Sequence, residues 1–150
     1  VDIKAKIKKV ITLGSPHNAP PPNSAAAAID QTRGLLTYIN RKYPGAYEAP
    51  SIEYVSVISD SASGKVASTA LSPASLLAYG SYYALCGSGN EKGDGIIPLT
   101  TASLAGAENV VIEGRCYHAN FLPGLTTAIV KEDLPWYGSP HILKQWAKYI

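Results

Sequence analysis

The chain has no methionine, one phenylalanine, two cysteines and no Gly-x-Ser-x-Gly segment, and each shortage narrows what it can be. Its apolar runs are only a few residues long, too short to cross a bilayer as a helix. Charge is sparse: 13 Lys and Arg against 11 Asp and Glu give a net +2. Four of the lysines (Lys4, Lys6, Lys8 and Lys9) crowd the first ten residues, where they read as a solvated lead-in to a strand. No basic stripe with interleaved aromatics follows, so nucleic acid is not an expected partner. Cys86 and Cys116 form no C-x-x-C pair and have no metal-type spacing to His17, His118 or His141. No metal and no organic cofactor is therefore expected, and two free thiols are expected rather than a disulfide. Lacking an initiator methionine and a leader-like segment, the chain reads as a piece of a longer protein or a processed product.

What remains supports a folded core. Hydrophobic residues make up 46% and charged residues 16% of the 150 positions, a globular balance that fits one domain. Three β-branched runs read as strands: Ile7 to Leu13, Glu53 to Ile58 and Asn109 to Glu113. A helix is predicted from the alanine run Ala25–Ala28, capped by Asn23 or Ser24. Its apolar stripe is Ile29, Leu35, Leu36 and Ile39, and Lys42-Tyr43-Pro44-Gly45 ends it. Pro73 to Leu85 reads as a short helix or packed loop, Thr100 to Leu104 as a short helix, and Leu122 to Val130 as a helical turn or lid. Ser139 and Pro140 open a last helix carrying Ile142, Leu143, Trp146, Tyr149 and Ile150 at helical spacing. Strands separated by crossovers rather than hairpins predict an α/β class with a parallel sheet.

The chemistry-bearing pair is Asp94, in Gly93-Asp94-Gly95-Ile96-Ile97-Pro98, and His118, 24 residues on and just past the third strand. An acid on one loop and a histidine on the next is how a parallel sheet brings a carboxylate to an imidazole. Asp60, directly after the second strand, is the fallback acid. His17 also follows a strand and is a candidate for lining the substrate crevice. Ser15 is a poor nucleophile because Pro16 offers no amide for an oxyanion hole, and Cys116 is too close in sequence to face His118 across a site. No nucleophile is assigned within the chain.

Together the segments 11–17, 93–98 and 104–114, the His118 loop, Trp136 to Pro140 and the final helix resemble the carboxyl-terminal half of a lipase-like α/β-hydrolase of the plant and algal superfamily, akin to bacterial lipases. The resemblance implies a partial α/β-hydrolase fold in residues 1–150 and a triad with Asp94 as acid and His118 as base. It puts the nucleophilic serine on an elbow upstream of Val1. A long excursion from Ser59 to Lys92 departs from the simplest members and keeps Asp60 in reserve. The implied function is a serine carboxylic-ester hydrolase acting on a small-molecule or lipid ester. The alternative is a non-catalytic relative used for binding or scaffolding. A plastid location is suggested by the resemblance alone.

Overall fold

The computed structural model describes residues 6–22, 24–28, 30, 32–65, 72–120 and 134–150. Three strands, β1 (Lys9–Leu13), β2 (Glu53–Ile58) and β5 (Glu108–Val111), form one sheet in the order β1-β2-β5, with both pairings parallel. The chain is thus a mixed α/β protein. Its register aligns Ile11 with Val55 and Leu13 with Val57, which is paired in turn with Val110. Because side chains alternate along a strand, this row faces one side together. It packs on Ile112, Cys116, Tyr137 and Ile142, with Trp146 and Tyr149 at the edge. Those last residues include one face of α5 (Pro140–Trp146) and the 3-10 turn Ala147–Tyr149 that closes it.

The opposite row, Val10 and Thr12 beside Tyr54, Ser56 and Ile58, meets the helices between the strands. These are α1 (Ala25–Ala28), α2 (Leu35–Lys42), α3 (Pro73–Cys86) and α4 (Leu99–Ala102). Ile58 forms a second cluster with Ile97 and Ala102, and the Ser56 hydroxyl donates to the Ala102 carbonyl at 2.8 Å. The central strand β2, covered on both faces, is buried over its last four residues. A two-residue pair, β3 (Ala62–Ser63) with β4 (Lys92–Gly93), is antiparallel and was not foreseen.

Three expectations shift. The single helix from Ala25 to Lys42 is two, because the Asp30 carboxylate accepts from Thr32 N, Thr32 Oγ1 and Gly34 N and folds the backbone into a turn. Arg33 and Gly34 then take positive φ, which breaks the predicted stripe: Leu35 is exposed and Ile39 borders on exposure, while Ile29 lies outside the described residues. Next, Pro73–Cys86 is a 14-residue helix, with Ser72 accepting from Ser75 N and Gly87 in the left-handed conformation at its end. Finally, on α5 only Ile142 is fully buried, and Leu143 and Ile150 face solvent. The expected lid at 122–130 lies outside the described residues. Among the described residues no helix is long and apolar enough to cross a membrane.

Candidate active site

All three parallel strands end on the same side, and their following loops carry the residues of interest. From β1 come Gly14 to His17, from β2 Ser59 to Ser61, and from β5 the stretch through Cys116 to His118. The Asp94 turn enters this crevice from below. Asp94 Oδ1 accepts from the amides of Ile96 (3.0 Å) and Ile97 (2.7 Å), so the two residues after Gly95 close the turn around the carboxylate. Gly95 N donates to the Tyr82 hydroxyl at 2.8 Å, and that hydroxyl donates to Ala62 O at 3.1 Å, pinning the turn to α3 and β3.

The other oxygen, Oδ2, lies 2.9 Å from His118 Nδ1 and accepts from the Tyr137 hydroxyl at 3.1 Å. With four donors a carboxylate's acceptor sites are filled. Its rotation is therefore fixed. A backbone bond from His118 N to Asp94 O, 2.9 Å, ties the two loops a second time. The Asp94 side chain is 1% exposed and that of His118 38%. The pair is thus polarised: a buried acid under an imidazole whose outer edge meets solvent. Donating to Asp94 through Nδ1–H leaves Nε2 of neutral His118 as the free basic nitrogen. The hydrogen bond to Asp94 raises the His118 pKa above its ordinary 6.5, against the opposing pull of burial.

Two features of this arrangement escaped the sequence reading. Tyr137 is buried, and burial followed by the Asp94 charge drives its hydroxyl pKa upward, so it remains a protonated donor. Gly14 sits at φ +51, where an added Cβ would overlap Asp94 Oδ2 and lie 2.8 Å from Tyr137 Cε2. Only a glycine allows the end of β1 to approach the carboxylate this closely. The His118 loop is itself held by hydroxyls after β2: Ser59 donates to Cys116 O at 2.6 Å, and Ser61 donates to Gly114 O at 3.0 Å and accepts from Cys116 N at 2.7 Å. The serines flanking Asp60 do the positioning.

Asp60 itself is exposed and pairs with Lys92 at 3.4 Å. The carboxylate that meets His118 is that of Asp94. His17 makes its contacts elsewhere. Its Nε2 lies 3.0 Å from Thr12 Oγ1, which donates to Ser56 Oγ at 3.3 Å, so the imidazole must donate. It borders a separate cavity of about 440 Å³ between α2 and the sheet, with Ile39, Tyr43 and Tyr54. Burial lowers its pKa. His141 is exposed on the first turn of α5.

Both cysteines are free thiols. Burial, then the Asp94 charge, pushes Cys116 up to about 12, so it carries no thiolate at neutral pH. No serine among the described residues is hydrogen-bonded to His118, and no cluster of three or more His, Cys, Asp or Glu side chains there could hold a metal ion. Comparison with models of protein families, with curated proteins and with solved structures finds no match to this chain.

Proposed function

We propose that this chain is the acid and base arm of a serine carboxylic-ester hydrolase, built as the carboxyl-terminal part of an α/β-hydrolase domain. The observation that carries the reading is the 2.9 Å contact between buried Asp94 Oδ2 and His118 Nδ1, with the far side of the ring open. In a serine hydrolase the imidazole takes the hydroxyl proton through Nε2 as the serine oxygen attacks the ester carbonyl. It returns that proton to the leaving alcohol, then deprotonates the water that hydrolyses the acyl-enzyme. Asp94 holds the ring in the required tautomer and stabilises the imidazolium at both steps.

The serine arrives on a segment outside this chain. Among the described residues β1 is an edge strand with one side unpaired, and a strand added there would lie about 4.8 Å away. Gly14, which directly follows β1, lies against Asp94 rather than remote from it. A turn at the carboxyl end of an added parallel strand therefore opens next to the Asp94–His118 pair. The plant and algal lipase-like resemblance suggests the same placement.

A fluorophosphonate probe applied to a protein that joins this chain to its serine-bearing segment tests the reading. One labelled serine, lost in His118→Ala and retained at reduced rate in Asp94→Asn, is the expected result. A folded protein with that serine present and unlabelled would mean a binding or scaffold protein instead.

A further inference from the structure

A cleft of about 650 Å³ opens between α2, α3 and the Asp94 turn, within the size range of small-ligand sites. Its walls are apolar: Leu36 from α2, Leu77 and Leu85 from α3, and Ile96 and Ile97 from the turn itself. Ile96 and Ile97 are the two residues whose amides hold Asp94 Oδ1, so the cleft and the Asp94–His118 pair share one wall. Pro16, two residues beyond Gly14, contributes to another. The Ser81 hydroxyl, on the cleft side of α3, is engaged with the Ile96 carbonyl at 2.7 Å and so fastens that wall to the helix. None of the tyrosines at 79, 82 and 83 borders this cleft. The leucine side of α3 does.

Gly80 stands in the middle of α3 on the same side. Glycine inside a helix is destabilising relative to alanine, and here no turn, cap or positive φ calls for it. An added Cβ would meet no atom within 4 Å. No packing contact requires glycine here; its effect is to keep the cleft wide. The lip carries one charge, Asp30, and no basic residue among the described lining residues. A carboxylate there disfavours an anionic guest, and apolar walls disfavour a polar one.

We propose that this cleft seats the unbranched apolar acyl chain of a neutral ester, with Gly80 as the residue that sets its width. The acyl assignment rests on the hydrolase reading, whereas binding of an uncharged chain does not. Since the free acid formed by hydrolysis is anionic, the Asp30 lip also favours its departure over that of the ester.

The test uses the chain itself, titrated with dodecan-1-ol and separately with dodecanoate, and read by the methyl NMR signals of Leu36, Leu77, Leu85, Ile96 and Ile97. Dodecanol is expected to shift these signals saturably and to bind more tightly than dodecanoate. Gly80→Leu should weaken dodecanol binding by about tenfold or more, roughly what two buried methylenes are worth. Gly80→Ala should keep the binding and raise the unfolding midpoint, which separates loss of space from loss of fold. The absence of saturable shifts, or unchanged binding in a folded Gly80→Leu variant, overturns the proposal. Serine labelling without chain binding removes the cleft and leaves the hydrolase; chain binding without labelling does the reverse.

Discussion

Gly14→Ala gives the sharpest test of how the site is assembled, because one methyl group meets three constraints at once. At φ +51 an alanine pays the left-handed penalty, about 1–2 kcal/mol for an L residue. Its Cβ would also overlap Asp94 Oδ2 and crowd Tyr137 Cε2 at 2.8 Å and the Tyr137 hydroxyl at 2.9 Å. Forcing a methyl into packed surroundings costs a further ~1–3 kcal/mol. The sum, about 2–5 kcal/mol, is a large part of the ~5–15 kcal/mol that holds a domain folded. With a urea slope of ~1–3 kcal/mol per molar, the unfolding midpoint falls by roughly a molar or more.

A double-mutant cycle separates the contributions. Asp94→Ala removes the overlapping oxygen and leaves the backbone strain in place. The two substitutions should therefore cost less together than their sum, by at least ~1 kcal/mol. Displacing Oδ2 should also let the His118 pKa in Gly14→Ala drift back toward 6.5, as followed by imidazole NMR. Additivity within ~0.5 kcal/mol, with an unmoved His118 titration, would refute the claim that Gly14 exists to admit the carboxylate.

The two perturbed histidines give stability a maximum near pH 6.5. His118, raised by Asp94, stabilises the fold fully below 6.5, and that contribution is lost as pH climbs through its folded value. His17, lowered by burial, costs stability as pH drops below 6.5. Urea midpoints between about pH 5.5 and 8 should show both limbs, with Asp94→Asn flattening the upper and His17→Asn the lower; a monotonic curve would contradict both shifts. Tyr137→Phe removes one donor from Asp94 Oδ2. Losing a hydrogen bond to a charged group should cost about 1.5–3 kcal/mol, and the His118 pKa should rise further because the carboxylate turns more strongly on the imidazole. An unchanged His118 titration would make Tyr137 a packing residue only.

Sequence and structure agree where the signal is local and periodic. Glu53–Ile58 is a strand over the predicted span because its β-branched run lies on the central strand, buried on both faces from Val55 onward. The start of the last helix was legible because Ser139-Pro140 is a strong local signal, and α5 does begin at Pro140. The break between α1 and α2 was not, since it depends on three hydrogen bonds to one carboxylate, Asp30. Ser72-Pro73 and Gly87 did mark the ends of α3, yet its even spread of apolar residues offers no helical stripe. Asp94 with His118 was readable from loop, strand and loop in sequence. Tyr137 was not, because it reaches Asp94 across 43 positions and nothing in Trp136-Tyr137-Gly138 distinguishes a donor from core packing.

The choice between Asp94 and Asp60 shows what makes an acid fit for this position. Both follow strand-like segments, and Asp60 lies two residues past the end of the central strand. A general base needs a partner whose charge is shielded from water and whose orientation does not wander. Asp60 is exposed and spends its charge on Lys92, so solvent screening would dilute any pull on an imidazole. Asp94 is buried and filled by donors drawn from Ile96, Ile97, Tyr137 and His118, all inside this chain. The Asp94–His118 pair is therefore held entirely by groups of this chain. Under the hydrolase reading, the segment pairing with β1 has only to bring a hydroxyl and the amides of an oxyanion hole. It then meets an imidazole already turned and already held.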